Sequence, residues 1–165
     1  MGWSGITAAL GMAVVAVRLT GPLGAAPIPL ALRVHIALAF INILLAATMG
    51  VLLGFNKVHP FLPGYVLTNV YAHAHLAAIG WASLMVVGVA YRWLPMVLPA
   101  EMPHGPRLSI TAVLLESGVV GLFVTLVTRS RLIWLFALLV VAGFGVPRSG
   151  RMDGPASSPA AAGAR

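Results

Sequence analysis

The chain has 165 residues, 60% of them hydrophobic, with ten basic and three acidic side chains and a net charge of +7. A soluble domain carries roughly a quarter charged residues, so this composition excludes an ordinary water-soluble globule. The bases sit at the ends of apolar runs or in the tail and form no patch with interleaved aromatics, which excludes a nucleic-acid surface. The absence of cysteine excludes disulfides, thiolate metal sites, covalent haem attachment and a cysteine nucleophile.

The first apolar run covers residues 3–17 and stops at Arg18. Its core, 8–17, has the length of a signal-peptide core. No Lys or Arg precedes it and no A-x-A cleavage site follows, so it reads as a first span, short of the ~20 residues usually needed to cross. Residues 21–29, rich in Gly and Pro, read as a breaker loop. The second run, 34–55, follows Arg33 and is long enough to cross. A loop at 56–63 leads to the third run, 67–94, which Pro95 and Pro99 should end; residues 95–106 form the next loop. The fourth run, 108–128, lies between Arg107 and Arg129, and the fifth, 132–146, is short again. Residues 147–165, made of Pro, Ala, Gly, Ser and Arg, bury nothing and are expected to be disordered.

The expected fold is therefore an all-α integral membrane protein in contact with the lipid bilayer. One domain, 1–146, forms a bundle of about five transmembrane helices with a disordered tail. No internal repeat stands out. Arg18, Arg33, Arg92, Arg107, Arg148, Arg151 and Arg165 fall on one side, and Lys57, Arg129 and Arg131 on the other. The positive-inside rule then puts the N-terminus outside and the C-terminus in the cytoplasm, in keeping with a bacterial inner membrane. Tyr91 and Trp93 sit at a helix end, as interfacial anchors do.

Ionisable groups inside a membrane are costly and tend to carry function. His59 and His104 lie in expected loops, and His35 sits near the start of the second run as an interfacial polar residue. His73 and His75 sit inside the third. Two residues apart on a helix is about 200° of rotation, so the two rings point to opposite sides at nearly one depth. They cannot share a metal as an i, i+4 pair could; two planar cofactors flanking the helix would suit the spacing, and neutral imidazole is an axial haem ligand. The His73 stripe continues through Ala77, Gly80, Leu84 and Gly88. Those small residues admit either a macrocycle or another helix. Glu116 lies mid-way along the fourth run and reads either as a proton-relay carboxyl or as a protonated acid bonded to a neighbouring helix. Asn42 reads as interhelical glue. Lys57, His59, Tyr65, Asn69 and Tyr71 gather near the outer face, as haem-propionate partners or as plain interface residues, while Glu101 and His104 form no catalytic pair.

The stretch YAHAHLAAIGWASLMVVGVAYRWLPMVLP, residues 71–99, resembles a helix of the heme-copper oxidase catalytic subunit, in the branch of the C-type oxidases and nitric oxide reductases. The resemblance rests on His73, His75, Gly80 and Trp81, with Tyr91 and the Leu94–Pro95 pair behind them; the preceding helix fits more loosely. It implies a respiratory electron-transfer protein holding non-covalent, b-type haem. His73 would be axial to a high-spin and His75 to a low-spin haem iron, with Ala77, Gly80 and Trp81 around the cofactor. The family's copper-binding histidines and the second ligand of the low-spin haem have no counterpart here. No copper site is expected, and the chain alone is not expected to reduce oxygen or nitric oxide. It would act as a fragment of an oxidase, as a homo-oligomer, or beside other respiratory-complex subunits. The alternatives are a haem-free structural subunit packing through the Ala77/Gly80/Gly88 stripe, and a small proton- or solute-conducting module built on Glu116.

Overall fold

In the computed structural model, residues 2–98 and 106–145 are described, the side chains of Gly2 and Arg107 excepted. They form α1 (Gly2–Ala25), α2 (Leu30–Asn56), α3 (Val66–Val97), α4 (Pro106–Thr128) and α5 (Ile133–Gly145), with no strand among them. The four helices α1 to α4 are long and apolar enough to cross a membrane, and α5 is a shorter apolar helix. The expected tail at 147–165, together with Glu101, His104, Arg148, Arg151 and Arg165, lies outside the described residues.

α2 and α4 match the ends of the sequence runs closely at Lys57 and Arg129, while α2 begins at Leu30, ahead of Arg33. α1 departs from its run: it continues past Arg18 and through Pro22 to Ala25. In a bilayer the backbone has no water to turn to, so Gly and Pro that would end a helix in water are carried inside one. The Thr20 hydroxyl donates to Val17 O at 2.7 Å, and Ala26 N–H donates to Pro22 O at 2.9 Å. The loop expected at 21–29 shrinks to 26–29, where the Arg33 guanidinium donates to Ala26 O at 3.1 Å. α3 likewise runs through Pro95 to Val97. Its centre, Leu76–Ser83, is wound as a π-helix between α-helical ends Val66–His75 and Leu84–Val97.

Successive helices run antiparallel. Gly5 of α1 meets Val51 of α2, Gly88 of α3 meets His35 of α2, and Gly118 of α4 meets Val140 of α5. The core is a column of three layers between α2, α3 and α4. At one end Ala31 and Leu32 pack with Val87, Tyr91 and Leu108. In the middle Ala39, Leu84, Leu115, Leu122 and Val140 meet. At the other end lie Ile43, Ala46, Leu76 and Val119. α5 docks on α4 through glycines. A Cβ on Gly118 would stand 2.5 Å from Val140 Cγ2, and one on Gly121 would enter the Phe136 ring. α1 lies outside this column, against α2, with its apolar side chains exposed as a lipid-facing helix requires.

The loops define two ends. At the Lys57 end, Phe61 and Leu62 N–H groups donate to the buried Asn56 Oδ1 at 2.7 and 2.8 Å, and Asn69 Nδ2 donates to Pro63 O at 3.0 Å. The Arg129 guanidinium lies 4.3 Å over the Tyr65 ring, joining this loop to the turn between α4 and α5. The opposite, Arg33 end carries the 26–29 loop and the start of α4.

Candidate functional site

His73 and His75 stand on the last α-helical turn before the π segment. Both are half-buried, and they face different neighbours. His73 Nδ1 is 2.9 Å from Ala46 O of α2, and its ring lies against Gly50. His75 Nδ1 is 2.7 Å from Tyr71 O of its own helix. A carbonyl oxygen can only accept, so in each ring Nδ1 carries the hydrogen, and in the neutral ring the lone pair lies on Nε2. A metal-binding imidazole is oriented in this way.

The two sides differ in the room they offer. On the His73 side, α2 fills the small-residue stripe. A Cβ on Gly80 would stand 2.5 Å from Asn42 Oδ1, and one on Gly88 would stand 3.0 Å from His35 Cβ. Ala77 packs into the layer of Ile43 and Ala46. The gap that the small residues leave therefore admits a helix, and a macrocycle on His73 would have to displace α2. Trp81 points outward and lines no part of either side. On the other side His75 opens into a lateral groove of about 340 Å³ between α3, α4 and α5, walled by Ile79, Leu122, Ile133, Trp134, Ala137 and Val140. Its wall is apolar apart from the imidazole, so of the two sides this is the one with room beside the ring.

Glu116 meets Asn42. Asn42 Nδ2 donates to Glu116 Oε2 at 2.8 Å and to Leu38 O at 3.0 Å, while its fully buried Oδ1 has no partner. Gly80 presses on that amide from α3, so three helices meet at one polar point in the middle of the bundle.

His35 turns its ring into the bundle. It is 0% exposed, with Nδ1–H donating to Ala31 O at 2.8 Å and its ring edge-on to Tyr91 at 5.6 Å. Gly88 gives it room, and no breaker or charge beside it in the sequence signals the burial. Its Nε2 has no partner. His59 is exposed in the Lys57-end loop. Among the described residues no three His, Asp or Glu side chains gather as a metal site. Sequence reasoning missed the π segment and the part of Trp134 in the groove.

Comparison of the chain with protein-family models, with curated proteins and with solved structures gives no match.

Proposed function

We propose that this chain is a haem-binding integral membrane protein with an electron-transfer role, related to the heme-copper oxidase catalytic subunit through its third helix, and that His75 is the axial ligand. One observation carries the reading. The His75 ring is held by its Nδ1–H bond to Tyr71 O, and the side chain lines an apolar groove of about 340 Å³. When bound, the haem supplies a one-electron couple; the protein orients the imidazole and keeps water from one face. In this reading a second copy or another respiratory subunit would contribute the remaining ligand. The charge distribution supports a bacterial inner-membrane location with the His75 end outside. The haem-free alternative relied on the Ala77/Gly80/Gly88 stripe as a docking surface, and that stripe packs against α2 within the chain.

The test is a visible spectrum, oxidised and dithionite-reduced, of detergent-purified protein expressed with ample haem. A Soret band that is lost in His75→Ala and retained in His73→Ala supports the reading. A flat spectrum in the parent chain, or a band untouched by His75→Ala, overturns it.

A further inference from the structure

α1 packs on α2 by one face. Gly5, Ala9, Ala13, Ala16 and Leu23 are half-buried on it, and Gly5 lies against Val51 of α2. The opposite face is uncovered. Ser4, Gly11 and Arg18 follow one another at intervals of seven residues, and Thr7, Val14 and Gly21 do the same three residues on; all six are exposed. At about 100° per residue they form one seam, within about 60° of Arg18. Alternating steps of three and four are the spacing by which one helix packs along another, and small residues on such a seam let two membrane helices approach closely. Gly11 and Gly21 have nothing within 4 Å of where a Cβ would stand.

The charge on that seam is deep. Counted from the Gly5–Val51 contact along the antiparallel pair, Arg18 is level with Leu38. Leu38 packs against the middle layer of the core, and it lies five residues, about 7–8 Å, inside Arg33. The Arg18 guanidinium is always ionised, and among the described residues it has no hydrogen-bond or ion-pair partner. Intramembrane charges are costly, face a protein interior and are paired. Glu116, the acid among the described residues, is already bonded to Asn42 inside the bundle. A second copy docked about a two-fold axis would set Arg18 against Arg18 at one depth. A lipid phosphate would answer the charge, but it lies at the membrane surface and leaves the seam from Ser4 to Val14 without a purpose.

We propose that the seam from Ser4 to Gly21 on α1 docks a transmembrane helix of a different protein, one that carries an Asp or Glu level with Arg18. The partner carboxylate pairs with the guanidinium, a geometry that arginine makes with two parallel hydrogen bonds. The two backbones come closest at Gly11, two turns away. The His75 groove is walled by α3, α4 and α5, so the inference is independent of haem.

The experiment uses the full chain in phosphatidylcholine liposomes at neutral pH. The chain has no cysteine, so Trp3→Cys takes a donor dye at an exposed position near the start of α1. The probe is a synthetic Leu/Ala transmembrane helix with an acceptor dye and a single Glu at the depth of Arg18; matched peptides carry Gln or Lys there. Energy transfer is expected to show the Glu peptide binding about tenfold more tightly than the Gln peptide. Arg18→Gln removes that preference, Arg18→Glu transfers it to the Lys peptide, and Gly11→Leu weakens binding of the Glu peptide with helicity unchanged. Parent protein that takes up the Glu and Gln peptides equally, or neither, overturns the inference. Phosphatidylglycerol retained by the parent and not by Arg18→Gln in native mass spectrometry, without a peptide preference, also overturns it and assigns Arg18 to a lipid phosphate. Arg18-dependent energy transfer between two labelled copies of the chain overturns it in favour of a homo-oligomer. Should Arg18→Glu fail to give helical protein, Arg18→Gln and Gly11→Leu decide the matter. None of these variants touches His75, so the Soret band reports on the haem reading separately.

Discussion

Replacing Gly80 with alanine tests the meeting point of three helices. The added methyl would stand 2.5 Å from Asn42 Oδ1, 2.6 Å from Cγ and 2.8 Å from Cβ. Asn42 cannot swing aside freely, because its Nδ2 is held by Leu38 O and Glu116. Either α2 and α3 separate or the amide gives up its bond to Glu116. Overpacking of this kind costs about 1–3 kcal/mol, and an interhelical hydrogen bond in a membrane contributes on average ~0.6 and at most ~1.7 kcal/mol. The expected loss is therefore about 1–3 kcal/mol, read from denaturant titration of ellipticity in micelles. Asn42→Ala removes the two nearest obstructing atoms. Gly80→Ala should then cost at least ~1 kcal/mol less in that background, a coupling that only direct contact explains. A Gly80→Ala protein within ~0.5 kcal/mol of the parent, or strict additivity of the two changes, refutes the packing described.

Other glycines give a contrasting pair. Gly11 of α1 has nothing within 4 Å of a new Cβ, so Gly11→Ala should be neutral or stabilise by up to ~1 kcal/mol, whereas Gly121→Ala, whose methyl enters the Phe136 ring, should destabilise by at least ~1–3 kcal/mol and loosen α5; thermal unfolding in micelles ranks the two. Asn56→Ala removes the acceptor for two backbone N–H groups, and a loss of about 1–3 kcal/mol with faster proteolysis between residues 57 and 65 is expected. Gly64 has a φ of +86°, so Gly64→Ala should cost ~1–2 kcal/mol and weaken the contact of Tyr65 with Arg129, measured by tyrosine fluorescence against an Arg129→Ala control.

The parts of the fold that the sequence announces are those bounded by charge. Arg33, Lys57, Arg107 and Arg129 locate α2 and α4, since moving an ion into the apolar layer is costly. The Gly and Pro at 21–25 and Pro95 lie inside helices, because turn chemistry that holds in water weakens where the backbone must satisfy itself. The divergence of His73 and His75 follows from helical rotation and appears in the structure. What filled the space beside Gly80 could not be read, because a glycine stripe serves a cofactor and a neighbouring helix equally well. Only the pairing of α2 with α3, a contact between residues 38 positions apart in the case of Asn42 and Gly80, decides it. Asn42 as interhelical glue was legible from its mid-span position; that Glu116 is its partner was not, since the two lie on different helices.

The π-wound centre of α3 also sets a phase. A π turn behaves as a helix with one residue inserted, and each residue of an α-helix turns the chain by about 100°. Val66–His75 therefore faces its neighbours at an azimuth that a plain α-helix through Leu84–Val97 would not give it. Deleting one residue between Leu76 and Ser83, Ala78 for instance, would let the segment rewind as α-helix. With Gly80, Gly88 and Tyr91 still anchored on α2, the shortened chain would swing His73 off the Ala46 carbonyl and carry His75 out of its groove. One residue of chain length thus holds the two imidazoles in register with the rest of the bundle.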